Sequence, residues 1–249
     1  MSLDEDGLLQ INLFLQPVAD LTPLRGLPVS LLKIELTQVT DLKPLAGMPL
    51  KELQLQQTAV SDLSPLRGMK LRSLQLGSIA GGCNVRDLSP LQGMPLKQLT
   101  LQLTPIDDLS PLAGMPLESL ELGATLPDKA LFQGWPLRSL RLHATPLHDL
   151  SVLQGLPLTN LNIHGIPAHD FSPLKGLKLQ SLEIEMLPVL ELSILAEMPL
   201  ETLVLRSVSQ ITGRETFRRL KLKHLELTGL QTPLDLTVLK GPDCSLSAC

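Results

Sequence analysis

The chain has no tyrosine, one tryptophan and four phenylalanines, so aromatics make up only 2% of its 249 residues. Surfaces that stack bases need rings, and phosphate binding needs a cationic excess; the formal charge here is −4. These two shortages predict no nucleic-acid partner. No run of roughly 18 apolar residues occurs, which predicts no membrane-spanning helix and no membrane partner. Three cysteines, an odd number, do not build a disulfide framework. No catalytic serine motif, Gly-rich phosphate loop or Cys-x-x-Cys pair is present, so the expectation is a protein that is not an enzyme and carries no cofactor. Met1–Asp6 is acidic and does not open like a secretory signal, which points to a cytoplasmic chain.

What the chain does have is aliphatic residue in a fixed rhythm. Hydrophobic residues are 43% of the total, and with so few rings the core must be leucine on leucine. The phrase Gly-Met-Pro-Leu stands at Gly47–Leu50, Gly93–Leu96 and Gly114–Leu117. Its glycine position recurs at Gly26, Gly47, Gly68, Gly93, Gly114, Gly134, Gly155 and Gly176, and the register continues through Glu197, Arg219 and Gly241. The steps are 21 residues with small deviations and one of 25. A period of this size marks a solenoid, whose units are too small to bury an apolar face alone. Residues 5–240 therefore read as one domain of about eleven 21-residue repeats, and 241–249 as the start of a partial terminal repeat.

Within the unit Gly47–Arg67, Leu50, Leu53 and Leu55 follow L-x-x-L-x-L, and the alternation of Leu53 and Leu55 suits a short strand with one buried face. Asp62-Leu63-Ser64-Pro65-Leu66 then reads as a single 3₁₀ turn. Asp62 is placed to accept from its free N–H groups, Pro65 occupies a position that needs no N–H, and Gly68 ends it with positive φ. Asp20, Asp41, Asp62, Asp87, Asp108, Asp149 and Asp170 recur at this place, as repeated caps rather than a row of calcium ligands. Stacking pairs the strands as a parallel sheet on a concave side, with short 3₁₀ or irregular turns on the convex side and more strand than helix.

The L-x-x-L-x-L core resembles a leucine-rich repeat, and Asp-Leu-Ser-Pro-Leu is similar to the short convex segment of internalin-like repeats. The longer phrase Leu-Ser-Pro-Leu-x-Gly-Met-Pro-Leu most resembles repeats of planctomycete-type bacterial proteins, several of which look like serine/threonine kinases with a repeat tail. This resemblance covers about residues 5–240 and implies a leucine-rich repeat right-handed solenoid with no chemistry of its own. The ladder asparagine usual in such repeats is replaced by Thr37, Thr58, Thr104, Thr125 and Thr145, then by Ile166, Leu187, Val208 and Leu230. A threonine can still bond the backbone there; the apolar residues must rely on packing.

Three breaks interrupt the rhythm. Four extra residues enter at Ser78–Asn84, predicting a loop that carries an exposed Cys83. The cap-and-turn phrase is lost at Leu126–Phe132. The stretch Gly213–Arg219 reads as a short polar helix and is locally basic, but three arginines are too few for a phosphate site. Trp135, in place of a methionine, reads as core filler. In the tail, Cys244, Ser247 and Cys249 fall on the strand-leucine positions, where Ser247 fits poorly; a one-residue slip would instead put Leu246 and Ala248 inside and both cysteines outward. A disulfide between the cysteines is disfavoured by their separation along one strand. Neither end carries an obvious polar cap, which leaves self-association through uncapped terminal repeats open.

Alternation places the residues flanking the strand leucines outward on the sheet. The candidate partner-binding residues are Gln54, Gln56, Gln75, Gln98, Gln102, Glu121, Arg141, His143, Asn162, His164, Glu185 and Arg206, with small residues such as Ser73, Ser119, Ser139 and Ser181 in a third column. Arg141 and Arg206 are the natural anchors. His143, His164 and Glu185 share one column, but a straight ladder is poor geometry for tetrahedral zinc, so no metal is expected. The function expected is a non-catalytic module that binds an unidentified protein through the concave sheet. The alternative is a spacer or repeat tail of a larger protein, such as a kinase, without a ligand of its own.

Overall fold

The computed structural model describes residues 2–123, 132, 134–231 and 237. The chain divides into two compact units, Met1–Leu137 and Arg138–Cys249.

In the first unit, β1 (Ser2–Leu3) pairs antiparallel with β2 (Leu9–Asn12), and β3 (Val29–Lys33), β4 (Glu52–Gln54) and β5 (Ser73–Gln75) follow in parallel. A small hairpin of β6 (Gly77–Ser78) and β7 (Gly81–Gly82) precedes β8 (Gln98–Thr100) and β9 (Ser119–Leu122), which continue the parallel sheet. The register is one repeat to one repeat, so Leu32, Leu53, Leu74, Leu99 and Leu120 lie side by side, each at most 1% exposed. The antiparallel β1 was not expected. It closes over the first repeat strand and brings Asp4 and Asp6 to Lys51, whose ammonium lies 3.2 Å from Asp4.

The second unit repeats the arrangement with β10 (Ser139–His143), β11 (Asn160–His164), β12 (Ser181–Glu185), β14 (Thr202–Arg206) and β16 (His224–Thr228), all parallel. A second two-stranded parallel sheet, β13 (Val189–Glu191) with β15 (Gln210–Thr212), lies on the connections between them. Arg214–Arg219 forms the polar turn expected there, as 3₁₀ helix. In both units the connections carry 3₁₀ turns such as Ser64–Leu66 and Ser172–Leu174, and strand residues outnumber helical ones among the described residues.

The caps act as the spacing predicts. The Oδ1 of Asp20, Asp41, Asp62, Asp87, Asp108, Asp149 and Asp170 each accepts from the N–H two residues on, at 2.7–2.8 Å. Those bonds hold the carboxyls of Asp62 and Asp87 below the ordinary carboxylate range. The threonine corner bonds backbone at Thr37 and Thr58 as expected, but the buried Thr145 hydroxyl has no partner among the described residues. The hydroxyls of Thr37 and Thr58 donate to the carbonyls of Ile34 and Leu55, both at 2.7 Å, while Ile166, Leu187 and Val208 are simply buried. Trp135 is core, 4% exposed and edge-on to Phe132 at 5.6 Å. Thr125, most of the break at Leu126–Phe132, the tail at 241–249 and Cys244 with Cys249 lie outside the described residues.

Cys83 corrects an expectation. It is 2% exposed, and burial pushes its thiol above the ordinary 9.0, so the inserted segment presents no reactive sulfur. The reason is the β6–β7 hairpin, whose tip at Ile79 stands in water (71% exposed) while its return strand carries Cys83 back inside: Cys83 N–H donates to Leu76 and Asn84 N–H to Val60, at 2.9 and 2.8 Å.

Candidate partner-binding face

The parallel register turns sequence columns into spatial rows. In the second unit Arg141, Asn162, Glu183, Val204 and Glu226 form one row, and His143, His164, Glu185, Arg206 and Thr228 the next. Because side chains alternate across a strand, both rows stand on the face opposite the buried leucines. Arg141 is exposed, and His143, Asn162, His164, Glu185 and Arg206 are half-buried. In the first unit Gln54, Gln56, Gln75 and Glu121 are half-buried and Gln98 is exposed, as alternation requires. Gln56 Nε2 donates to Gln75 Oε1, tying two adjacent repeats together on this face.

Gln102 is the exception among the candidates. It is 2% exposed and belongs to the interior, so it offers nothing to a partner. Its neighbours in the column are Gly77 and Gly123, and without side chains their backbones close onto it. A Cβ built on Gly77 would stand 1.6 Å from the Gln102 carbonyl oxygen, and one on Gly123 would stand 3.2 Å from the Gln102 Cα. Ser73, in the third column, is also buried at 8%.

The second unit's rows form a connected polar network. Arg206 Nε and Nη2 donate to the two carboxylate oxygens of Glu226 at 2.8 and 3.2 Å, and Arg206 Nη1 reaches back to Glu183. Asn162 Nδ2 donates to the other oxygen of Glu183. Hydrogen bonds from Arg206 hold the Glu226 carboxyl below its usual range, and those carboxylates in turn raise the guanidinium. Glu183 and Glu226 were not singled out from the sequence. The signal was there, since a column reading Glu, Val, Glu beside an arginine places carboxylates diagonally on either side of it.

His143 and His164 stack face to face, with centroids 4.3 Å apart and planes 22° from parallel, and His164 Nδ1 lies 3.2 Å from Glu185 Oε2. Parallel rings do not converge their nitrogens on one point. No group of three or more metal-binding side chains is gathered among the described residues. Burial holds the His143 imidazole below 6.5, and the neighbouring His164 pushes the same way against Glu185.

One row was missed altogether. The residue just after the repeat strand adopts positive φ even where it is not glycine: Leu15, Leu36, Gln57, Leu103, Ala144, Met186 and Ser207, at φ of 50–60°. At Leu15, Leu36, Ala144, Met186 and Ser207 the N–H continues the ladder onto the following repeat, as from Leu36 to Gln56 O at 3.1 Å and from Met186 to Arg206 O at 3.0 Å. Where that bond forms, it goes with a left-handed corner whatever the residue type. Leu15, Leu36, Leu103 and Met186 stand 60, 40, 50 and 56% exposed there, with Phe14 at 45% beside the first.

Short parallel strands in one-repeat register, capped 3₁₀ turns on the return path and a leucine seam between define a leucine-rich-repeat protein. Solved structures agree. An internalin from Listeria monocytogenes str. 4b F2365 superimposes with a TM-score of 0.64 at 24% identity, over 93% of this chain and 78% of that one. Internalin C2 from the same strain gives 0.63 at 28% identity, over 72% and 81%. No protein-family model matches the sequence. No curated protein matches it either. Among the described residues no helix is long and apolar enough to cross a membrane.

Proposed function

We propose that the protein is a non-catalytic interaction module that binds a partner protein through the outward face of its repeat sheet and the left-handed corners bordering that face. The observation that carries this reading is the placement of Leu36, Leu103 and Met186. Each puts a bulky side chain in a backbone conformation that costs an L-residue about 1–2 kcal/mol, and each leaves 40–56% of the residue in water. A fold that needed the corner alone would be better served by glycine, as at Gly165 and Gly229, where φ is 60° and 63°. Apolar side chains held there at a cost suit a surface that is covered in use. The rigid ladder also lowers the ordering cost of association, and the solenoid fold offers an extended face of this kind.

The second reading, a spacer or repeat tail serving a larger protein, draws on the satisfied Glu183–Arg206–Glu226 network, which spends on itself the donors an anchor would offer. Affinity capture with immobilised protein separates the two. We expect a partner held by the native chain and lost with Leu36→Asp/Leu103→Asp and with Arg141→Glu. Equal recovery by all three proteins counts against recognition through this face, and no recovery by the native chain favours the spacer.

A further inference from the structure

The second unit carries a cationic groove on the corners that lead into β12, β14 and β16, away from the sheet face. It encloses about 560 Å³ and is lined by Lys178, Glu197, Glu201, Arg219, Lys221 and Lys223, with Ala196 and Pro199 as its accessible apolar part. The three corners are 20 or more residues apart in sequence, and the ladder brings them together: Glu201 N–H donates to Gln180 O and Lys223 N–H to Glu201 O, both at 2.8 Å. The basic stretch around Arg218 and Arg219 thus acquires Lys178, a cation from two repeats earlier. An adjoining groove of about 510 Å³ shares Lys178 and adds Lys175.

Charge within the groove is lopsided. Lys223 is paired with Glu201 at 2.8 Å, but Lys178, Arg219 and Lys221 have no carboxylate partner among the described residues, and only Glu197 remains to offset them. The rest of the molecule has the opposite sign, since the whole chain carries −4. The comparable corner of the first unit is also different. There a groove of about 360 Å³ contains Asp4, Glu5 and Glu52, and its Lys51 is already tied to Asp4 and Asp6. Three unpaired cations converging in one recess repel one another, an arrangement relieved by a bound anion.

We infer that this groove is a docking site for an acidic peptide segment of a partner protein, in which carboxylates meet Lys178, Arg219 and Lys221 and an apolar side chain rests against Ala196 and Pro199. This apolar part and the recessed shape favour a chain with alternating character over a flat anionic membrane. The groove has no aromatic ring on which a nucleic-acid base could stack. The site lies on a different surface from the proposed sheet-face interaction and does not depend on it.

The test is fluorescence anisotropy of a short labelled glutamate-rich peptide containing two leucines, titrated with the full chain. Binding should weaken as salt rises. Arg219→Glu/Lys221→Glu should weaken it roughly ten-fold or more, Arg219→Gln/Lys221→Gln should fall between, and Lys70→Glu, on an exposed position of the first unit, should leave it unchanged. The altered side chains are exposed, and circular dichroism of each variant checks its fold. No binding by the native chain, equal binding by the charge-reversed protein, or equal binding of a glutamine version of the peptide overturns the proposal. So does tighter, reversal-sensitive binding of anionic phospholipid vesicles or of an oligonucleotide, which reassigns the groove.

Discussion

Arg206 on β14 grips Glu226 on β16 through two parallel hydrogen bonds, Nε to Oε1 at 2.8 Å and Nη2 to Oε2 at 3.2 Å, while its remaining nitrogen holds Glu183 on β12. One guanidinium therefore ties three successive repeats together on their exposed face. Planar bidentate geometry of this kind makes the arginine irreplaceable by lysine.

The first prediction is that Arg206→Gln lowers the thermal midpoint by a few degrees at low ionic strength, because Glu183 and Glu226 then face each other without a cation between them. The loss should shrink as salt is added, since the pairs are partly exposed. Thermal melts at two salt concentrations check this; no difference between native and variant at low salt contradicts it.

The left-handed corners give an unusual expectation for a leucine-to-glycine change. At Leu103, φ is 52° and half the residue is exposed. Relief of about 1–2 kcal/mol of backbone strain outweighs the roughly 0.5–1 kcal/mol that glycine's freedom costs. Leu103→Gly should thus be neutral or stabilising by up to about 1 kcal/mol. Leu101→Gly, two residues earlier and 2% exposed, should lose about 3 kcal/mol or more. Urea unfolding of the two variants gives the comparison.

The hairpin that hides Cys83 rests on Gly77 and Gly82. Their added Cβ atoms would meet the Gln102 and Leu103 carbonyl oxygens at 1.6 and 2.3 Å, and backbone cannot move aside cheaply. Gly77→Ala should cost more than about 2 kcal/mol and release the hairpin. Thiol titration of the folded protein reads it directly. Cys83 reacts slowly in the native chain and quickly in the variant.

Acid should act through the stacked histidines. The folded protein holds His143 below 6.5, the ordinary value it regains on unfolding, so between those two points the unfolded chain binds more protons. The stability this group contributes is whole above pH 6.5 and is lost as pH falls through the folded value. His143→Gln should flatten the fall in stability just below pH 6.5. Proton NMR of the imidazole C–H signals should show His143 titrating below 6.5; a value above it contradicts the assignment.

Much of this was legible in the residues because each repeat solves the same local problem with its own atoms. Asp62 caps a turn two residues away, Pro65 sits where no N–H is needed, and Leu53 and Leu55 alternate, so period and chemistry together imply the strand, the turn and the outward columns. The same logic failed at Gln102. It follows the outward pattern, yet its exposure is set by Gly77 and Gly123 in neighbouring repeats, whose missing side chains let backbone close over it.

The amino-acid sequence by itself determined the repeat, its leucine seam, its caps and the rows of side chains that share a face, since these depend on contacts within one period or at a fixed step of one. Only the tertiary structure decided which members of those rows engage one another. The grip of Arg206 on Glu183 and Glu226, the stacking of His143 on His164, the burial of Cys83 behind its hairpin and the gathering of Lys178, Arg219 and Lys221 around one groove all depend on what neighbouring repeats bring together in space. Distance through space, a few ångströms between residues 20 or 40 positions apart, is the quantity a linear pattern does not contain.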